Sequence, residues 1–320
     1  MKNKNGVMSV KAIIEKITEQ IQEGIYPGAS LALYRKGQWS EHYLGLADPE
    51  KGEPVVADLV YDLASVSKVV GVATICAFLY AKGELALDRP FKELYPRFAH
   101  EKTTIRELLT HTSGLDPFIP NRDQLDARQL KTALENLQLK EDKSFHYTDV
   151  NFLLLGFWLE DRFRQPLDRL FEELIFTPWK MTETRFGPVE KAVPTVRGVA
   201  SGSVHDPKAR VLGCHAGSAG LFSTVADLER FLEHYLKDDF ARDLSQNFAR
   251  EEGKTRALGW NLEGDWLDHT GYTGTFIMYN RKRQEVVIFL SNRTYEKDER
   301  AQWILDRNSL MDLIKQECEK

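Results

Sequence analysis

"DLASVSKVVGVATICAFL", residues 62–79, decides how the chain is read. The apolar run from Val69 onward, with Gly71, Ala73 and Ala77 for close packing, predicts a buried helix. Ser65 and Lys68 break that pattern at its front end. Three residues apart on a helix, they share a face. If Ser65 opens the helix, the positive helix end and its own backbone N–H favour a developing anion nearby. A lysine one turn on can steer or accept the serine proton, which turns a weak nucleophile into a competent one. The pair alone is weak evidence, since S-x-x-K arises by chance roughly once in a chain of this length. Here Ser65 is the only serine followed by Lys at i+3.

Working outward, "MKNKNGVMSVKAIIEKITEQIQEG" has basic residues but no apolar signal-peptide core, and Ile13, Ile14, Ile17 and Ile21 mark an amphipathic first helix. Gly28–Tyr34 and Gln38–Leu46 read as a hairpin turned by "RKG", and Gly83 as the C-cap of the apolar helix. From Leu87 to Phe222 the signals are mostly helical, including 103–115 and 149–163, and 223–236 continues them. The last third reads as antiparallel strands around a turn at Asn280–Gln284, then a closing helix. Strands at both ends and helices in the middle predict an α+β fold, an antiparallel sheet flanked by helices with an inserted all-helical lobe. The expected sheet lobe is 1–86 plus 237–320, and the helical lobe 87–236.

Bulk composition narrows the function. The 320 residues are 42% hydrophobic, enough for one large domain or two lobes. Net charge is −5 with no dense Lys/Arg block, so nucleic acid is not an expected partner. Val69–Tyr80 is too short to span a bilayer. Cys76, Cys214 and Cys318 read as free thiols, and no CxxC, HExxH or His/Cys cluster suggests a metal. The expectation is a soluble cytoplasmic protein, a monomer or small homo-oligomer, with no cofactor and no membrane partner.

Further motifs accompany the serine. "FHYTDVNFLLLG" sets Tyr147 and Asp149 before an apolar helix, and "DHTGYTGTF" sets His269, Thr270 and Gly271 at the lip of a strand. "LLTHTSGL" and "GCHAGSAGLFST" add small-residue loops. There is no G-x-S-x-G, and "AGSAG" around Ser218 lacks its first glycine. His111 reads as a loop-fixing residue, His205 and His215 as satisfying loop backbone, and Trp158, Trp179 and Trp260 as core.

The ordered set S-x-x-K, "LLTHTSGL", Y-x-[ND], "GLFST" and [KH]-T-G resembles the β-lactamase-related serine hydrolases: class C β-lactamases, D-alanyl-D-alanine carboxypeptidases and their esterase relatives. The resemblance runs from about residue 10 to 315. It implies that Ser65 is the acylated nucleophile and that Lys68 and Tyr147 share the proton transfers. It further implies an oxyanion hole from the N–H groups of Ser65 and Tyr272, with Thr270, Gly271 and His269 at the substrate. Two positions depart from the family pattern. Asp149 stands where Asn is usual, and a carboxylate cannot donate a hydrogen bond to an acyl amide. Near Lys68 it would also favour the charged ammonium, leaving more of the base role to Tyr147. His269 stands where Lys is usual and is mostly neutral at pH 7, which points to small uncharged esters rather than penicillins or peptide C-termini. The expected activity is therefore hydrolysis of a small ester or amide through an acyl-enzyme. The alternatives are a penicillin-binding or D-alanyl peptidase-type protein with slow deacylation, and a non-catalytic binding protein on the same fold.

Overall fold

The computed structural model describes residues 10–250 and 254–319; the basic stretch at the extreme N-terminus lies outside them. Among the described residues ten strands form two sheets. In chain order they are β1 (Gly28–Arg35), β2 (Gln38–Asp48), β3 (Glu53–Pro54), β4 (Tyr61–Asp62), β5 (Arg185–Phe186), β6 (Leu221–Ser223), β7 (Asn261–Glu263), β8 (Trp266–Thr270), β9 (Phe276–Asn280) and β10 (Glu285–Ser291). Seven of them make the antiparallel order β3-β2-β1-β10-β9-β8-β7. The expected hairpin is β1–β2, turned by Lys36 and Gly37, both at positive φ. The centre of the sheet joins the two ends of the chain, with Ala29 opposite Ser291 and Tyr34 opposite Val286.

The central strands are apolar on both faces because both faces are covered. Ala29, Leu31, Leu33, Met278, Val287 and Phe289 pack with the first helix, Val10–Gln22, and the closing helix, Arg300–Glu319. The alternate residues Ala32, Ile277, Tyr279, Ile288 and Leu290 join the larger core on the other face. Period-two alternation with hydrophobes on both sides explains the continuous apolar runs in these strands.

The middle of the chain is mainly helical, as expected, with two differences. Short strands β5 and β6 pair with β4 into a three-stranded sheet; at two or three residues each they are too short for alternation to register in sequence. The helix Val225–Lys237, capped by the Thr224 side chain, packs on β1, β9 and β10 rather than among the helices before it. The segment 103–115, expected to be a capped helix running into a turn at Ser113–Gly114, holds a short helix, Ile105–Thr110, opened by a Thr104–Glu107 capping box and ended by His111 in the left-handed region.

The deciding stretch is less regular than its sequence suggests. Ala64–Val66 form a 3₁₀ turn, Val69–Ala73 a π-helical turn and Thr74–Ala81 an α-helix that Gly83 closes at φ 72°. Ser65 therefore sits on a tight turn leading into the helix. Ala64–Ala81 is long and apolar enough by composition to cross a membrane, but 78% of it is buried inside the protein, as in a core helix. The wide turn brings Gly71 against Phe171, whose ring would lie 2.3 Å from any Cβ there.

Candidate active site

Ser65, Lys68, Tyr147, Asp149, His269, Thr270, Gly271 and Tyr272, drawn from three separate parts of the sequence, converge beside two adjoining cavities. The Lys68 side chain is fully buried. Its Nζ donates to Ser65 Oγ at 2.9 Å, to Asp149 Oδ1 at 2.7 Å and to the Ser218 carbonyl at 2.9 Å. Those three acceptors use all three ammonium donors. Burial would lower the Lys68 pKa, but Asp149 and Tyr147 outweigh it and hold the ammonium charged well above the ordinary lysine range. Burial likewise pushes the Asp149 carboxyl up, and the opposing charges of Lys68 and Lys208 win, holding it well below the ordinary aspartate range. Ser218 is fully buried, so it offers no exposed hydroxyl, and its part is the carbonyl that anchors Lys68.

The backbone at Ser65 is constrained from both sides. Ala64 has φ 46°, a strained value for a residue with a Cβ. Its N–H donates to Asp62 Oδ1 at 2.8 Å, and the other Asp62 oxygen accepts the His205 N–H at 2.8 Å. Burial pushes the Asp62 carboxyl up to about 6 against those two bonds. The turn after β8 is sewn onto this one: Thr273 Oγ1 donates to the Asp62 carbonyl at 2.9 Å and Thr275 Oγ1 to the Leu63 carbonyl at 3.1 Å. Arg293 Nε donates to the Tyr272 carbonyl at 2.8 Å, which holds the far side of this turn. The Ser65 and Tyr272 backbones are brought together in this way.

Gly271 permits the close approach. A Cβ there would lie 2.0 Å from Thr275 Oγ1 and 2.6 Å from the Leu63 carbonyl. Gly271→Ala is expected to push the two turns apart and lower kcat by about 10²-fold, the scale of one lost oxyanion donor; steady-state rates check it, and an unchanged kcat would show that the spacing of these turns is immaterial.

Tyr147 lies on the other wall. Its ring centroid is 5.2 Å from Lys68 Nζ, 4.7 Å from the His111 ring and 6.2 Å from the His269 ring. His111 fixes this loop: its Nδ1 faces the Thr148 N–H at 3.4 Å and the Asn151 amide at 3.2 Å, and its carbonyl accepts the His146 N–H. Ser113 Oγ bonds Asn151 Oδ1 at 2.8 Å, tying "LLTHTSGL" to the helix Val150–Phe163. His205 lines the cleft, its ring 5.5 Å from that of Tyr272 and its Nδ1 facing Thr195 Oγ1 at 3.4 Å rather than a backbone group, and His215 pairs with the Glu160 side chain.

His269 is buried and its Nδ1 contacts the Thr270 carbonyl at 3.1 Å. Burial first, then the charges of Lys68 and Arg256, hold its pKa well below the ordinary histidine value. A base depressed in the fold contributes stability that is complete above the unfolded value near 6.5 and is lost as pH falls below it, by at most about 1.4 kcal/mol per pH unit. His269→Gln is therefore expected to flatten the fall in melting temperature between pH 7 and 5. An equal slope in both proteins would mean that the ring is protonated in the fold.

Several participants escape sequence reasoning. Asp62, Thr273 and Thr275 act through backbone contacts that no spacing reveals. Lys208, Arg256, Arg293 and Arg307 arrive from distant segments: Arg256 is buried with its guanidinium on Asn261 and the Gly259 carbonyl, and Arg307 Nη1 donates to Thr270 Oγ1 at 3.2 Å. Among the described residues no group of His, Cys, Asp and Glu could hold a metal.

Comparison with known proteins gives this geometry a context. The chain is 28% identical over 353 aligned positions, covering 87% of it and 81% of the relative, to a protein of Escherichia coli (strain K12) named "Putative D-alanyl-D-alanine carboxypeptidase". It superposes with TM-score 0.75 at 20% identity on a β-lactamase/D-alanine carboxypeptidase from Pseudomonas syringae, covering 94% and 98% of the two chains. It superposes with TM-score 0.73 at 19% identity on EstCE1, a hydrolase with promiscuous acyltransferase activity, covering 94% and 97%. These structural likenesses establish the fold, the antiparallel sheet with helices expected from the sequence. A family model described as Beta-lactamase matches residues 13–310, nearly the whole chain, and the protein belongs to that family.

Proposed function

We propose that the protein is a serine hydrolase that cleaves a small ester or amide through an acyl-enzyme on Ser65. The observation that carries this reading is the buried Lys68 ammonium 2.9 Å from Ser65 Oγ at the wall of an open cleft. Ser65 Oγ attacks the carbonyl carbon as its proton passes to the Tyr147 oxygen. Lys68, kept charged by Asp149, supports the negative charge on both oxygens, and the oxyanion lies against the Ser65 and Tyr272 N–H groups. The C–O or C–N bond breaks as the leaving group takes the proton. Water then attacks the acyl carbon, its proton passing by way of the Tyr147 oxygen to Ser65 Oγ as the bond from Oγ to the acyl carbon breaks, which releases the acid and restores Ser65. The test is intact mass after a fluorophosphonate: one adduct on the native chain and none on Ser65→Ala supports the reading, and no adduct on the native chain overturns it.

A second reading concerns the substrate. The expectation of an uncharged ester rests on His269 lacking a permanent charge. Beside Ser65, however, a cavity of about 220 Å³ is lined by Lys254, Arg293, Arg300 and Arg307 with Thr270, and its lining contains no carboxylate. Arg293 is already paired with Asp298, and the other three cations around one small cavity favour an anionic group on the leaving side of the substrate. Two phenyl esters with the same acyl group, one bearing a ring carboxylate, discriminate the readings. Preference for the anionic ester, reduced about tenfold by Arg307→Ala as for one charge-assisted hydrogen bond, supports this second reading. Faster turnover of the uncharged ester returns the substrate to the esterase type.

A further inference from the structure

We infer that Lys208 is a specificity-determining residue, which presents ammonium N–H donors to the acyl half of the substrate and selects acyl groups that carry a carbonyl or carboxylate oxygen. The inference rests on the acyl-enzyme reading and adds a ligand contact to it.

Asp149 occupies the N-cap position of the helix Val150–Phe163, yet its side chain makes no capping hydrogen bond. Its carboxylate bridges two lysines instead. Oδ1 takes Lys68, and Oδ2 lies 3.2 Å from Lys208 Nζ. Lys208 stands on the short helix Pro207–Leu212, held by the Asp206 side chain, which accepts the Ala209 N–H at 2.8 Å. The two lysines differ in what remains free. Lys68 has an acceptor for each of its donors. Lys208 has Asp149 alone among the described residues, so at least one of its three N–H groups is unused.

Its side chain is 14% exposed, and a donor left unused at the wall of a cleft is free to take an acceptor oxygen of a ligand. Lys208 also borders the cleft of about 910 Å³ that Ser65 and Tyr147 border. It is absent from the lining of the smaller cavity around Thr270 and Arg307. The two cavities meet at Ser65, Tyr147 and Tyr272. A substrate bridging the nucleophile therefore places one half against Arg307 and the other against Lys208. Asp149 has only acceptor oxygens when ionised, so a donor to the acyl group on this wall has to come from a neighbour, and of the two ammonium groups in contact with it Lys208 is the one that keeps an unused donor.

The test compares 4-nitrophenyl butyrate with the 4-nitrophenyl ester of N-acetylglycine, whose leaving groups are identical. The readout is the ratio of their kcat/KM values, in which intrinsic reactivity cancels between variants. Lys208→Met keeps the apolar stem and removes the donors; it is expected to lower the acetylglycyl-to-butyryl ratio about tenfold or more, the scale of a hydrogen bond to a charged donor. Lys208→Arg is expected to retain part of the preference. An unchanged ratio in Lys208→Met overturns the assignment. So does an equal loss on both esters, which would mean that Lys208 acts only by steadying Asp149. Fluorophosphonate labelling of the same proteins separates the two layers: an adduct on native and Lys208→Met chains with an unchanged ratio sinks the Lys208 assignment alone, and no adduct on the native chain sinks the acyl-enzyme reading and this assignment with it.

Discussion

Ser65→Ala is expected to lower ester hydrolysis by about 10⁴-fold or more, the scale on which removal of the nucleophile from an acyl-transfer site operates. The fold should tolerate the change. Ser65 is partly exposed, and its hydroxyl accepts one hydrogen bond, from a lysine that keeps two other acceptors. A melting temperature within a few degrees of the native value, alongside lost turnover, would assign the loss to chemistry. Residual activity above about a hundredth of the native rate would place the nucleophile elsewhere, since the remaining oxyanion donors and binding contacts give only a small fraction of such a rate enhancement.

The second large effect concerns stability. Lys68→Met removes the cation from a buried pair and leaves Asp149 with Lys208 alone. Breaking a buried pair on one side costs about 3–5 kcal/mol because the surviving charge stays in a poor solvent. The Asp149 side chain is 24% exposed and keeps one lysine, so the lower end of that range is expected. Urea denaturation of the single variant and of Lys68→Met/Asp149→Asn checks it. The double variant should recover much of the lost stability and none of the activity, because the amide needs no counter-charge and the cation that supports the Ser65 and Tyr147 oxygens is still missing. A native-like denaturation midpoint in the single variant would mean that the pair contributes nothing to the fold.

Much of the architecture was legible before any coordinates. Hydrophobic alternation marked β1, β2 and the C-terminal strands, and the apolar runs of 62–79 and 149–163 marked the helices behind the site. Cap and turn residues were readable as well: Gly83 ends its helix as expected. The short strands β5 and β6 were not legible, because two or three residues give no period. The place of His111 in the loop after its helix is legible, but its left-handed conformation is not, because histidine carries no strong signal for it. At the site, the motifs named the residues that now face one another. What they could not name were residues joined by distance alone: Asp62 under Ala64, Lys208 behind Asp149, and the basic cluster from Lys254 to Arg307. That cluster also changes the argument drawn from His269. One position read as lacking a cation, while the cations sit on other segments.

The pairing of β1 with β10 has a consequence in the order of synthesis. Ser65 leaves the ribosome early, but the turn that steadies its backbone, Thr273 with Thr275, and the strand that centres the sheet, Glu285–Ser291, are made more than two hundred residues later. Contacts so distant along the chain form late, because the loop between them must close first. Until that turn and that strand emerge, the nascent chain carries Ser65 and Lys68 without the contacts that frame them. The backbone around Ser65 is thus held on both sides only as folding finishes.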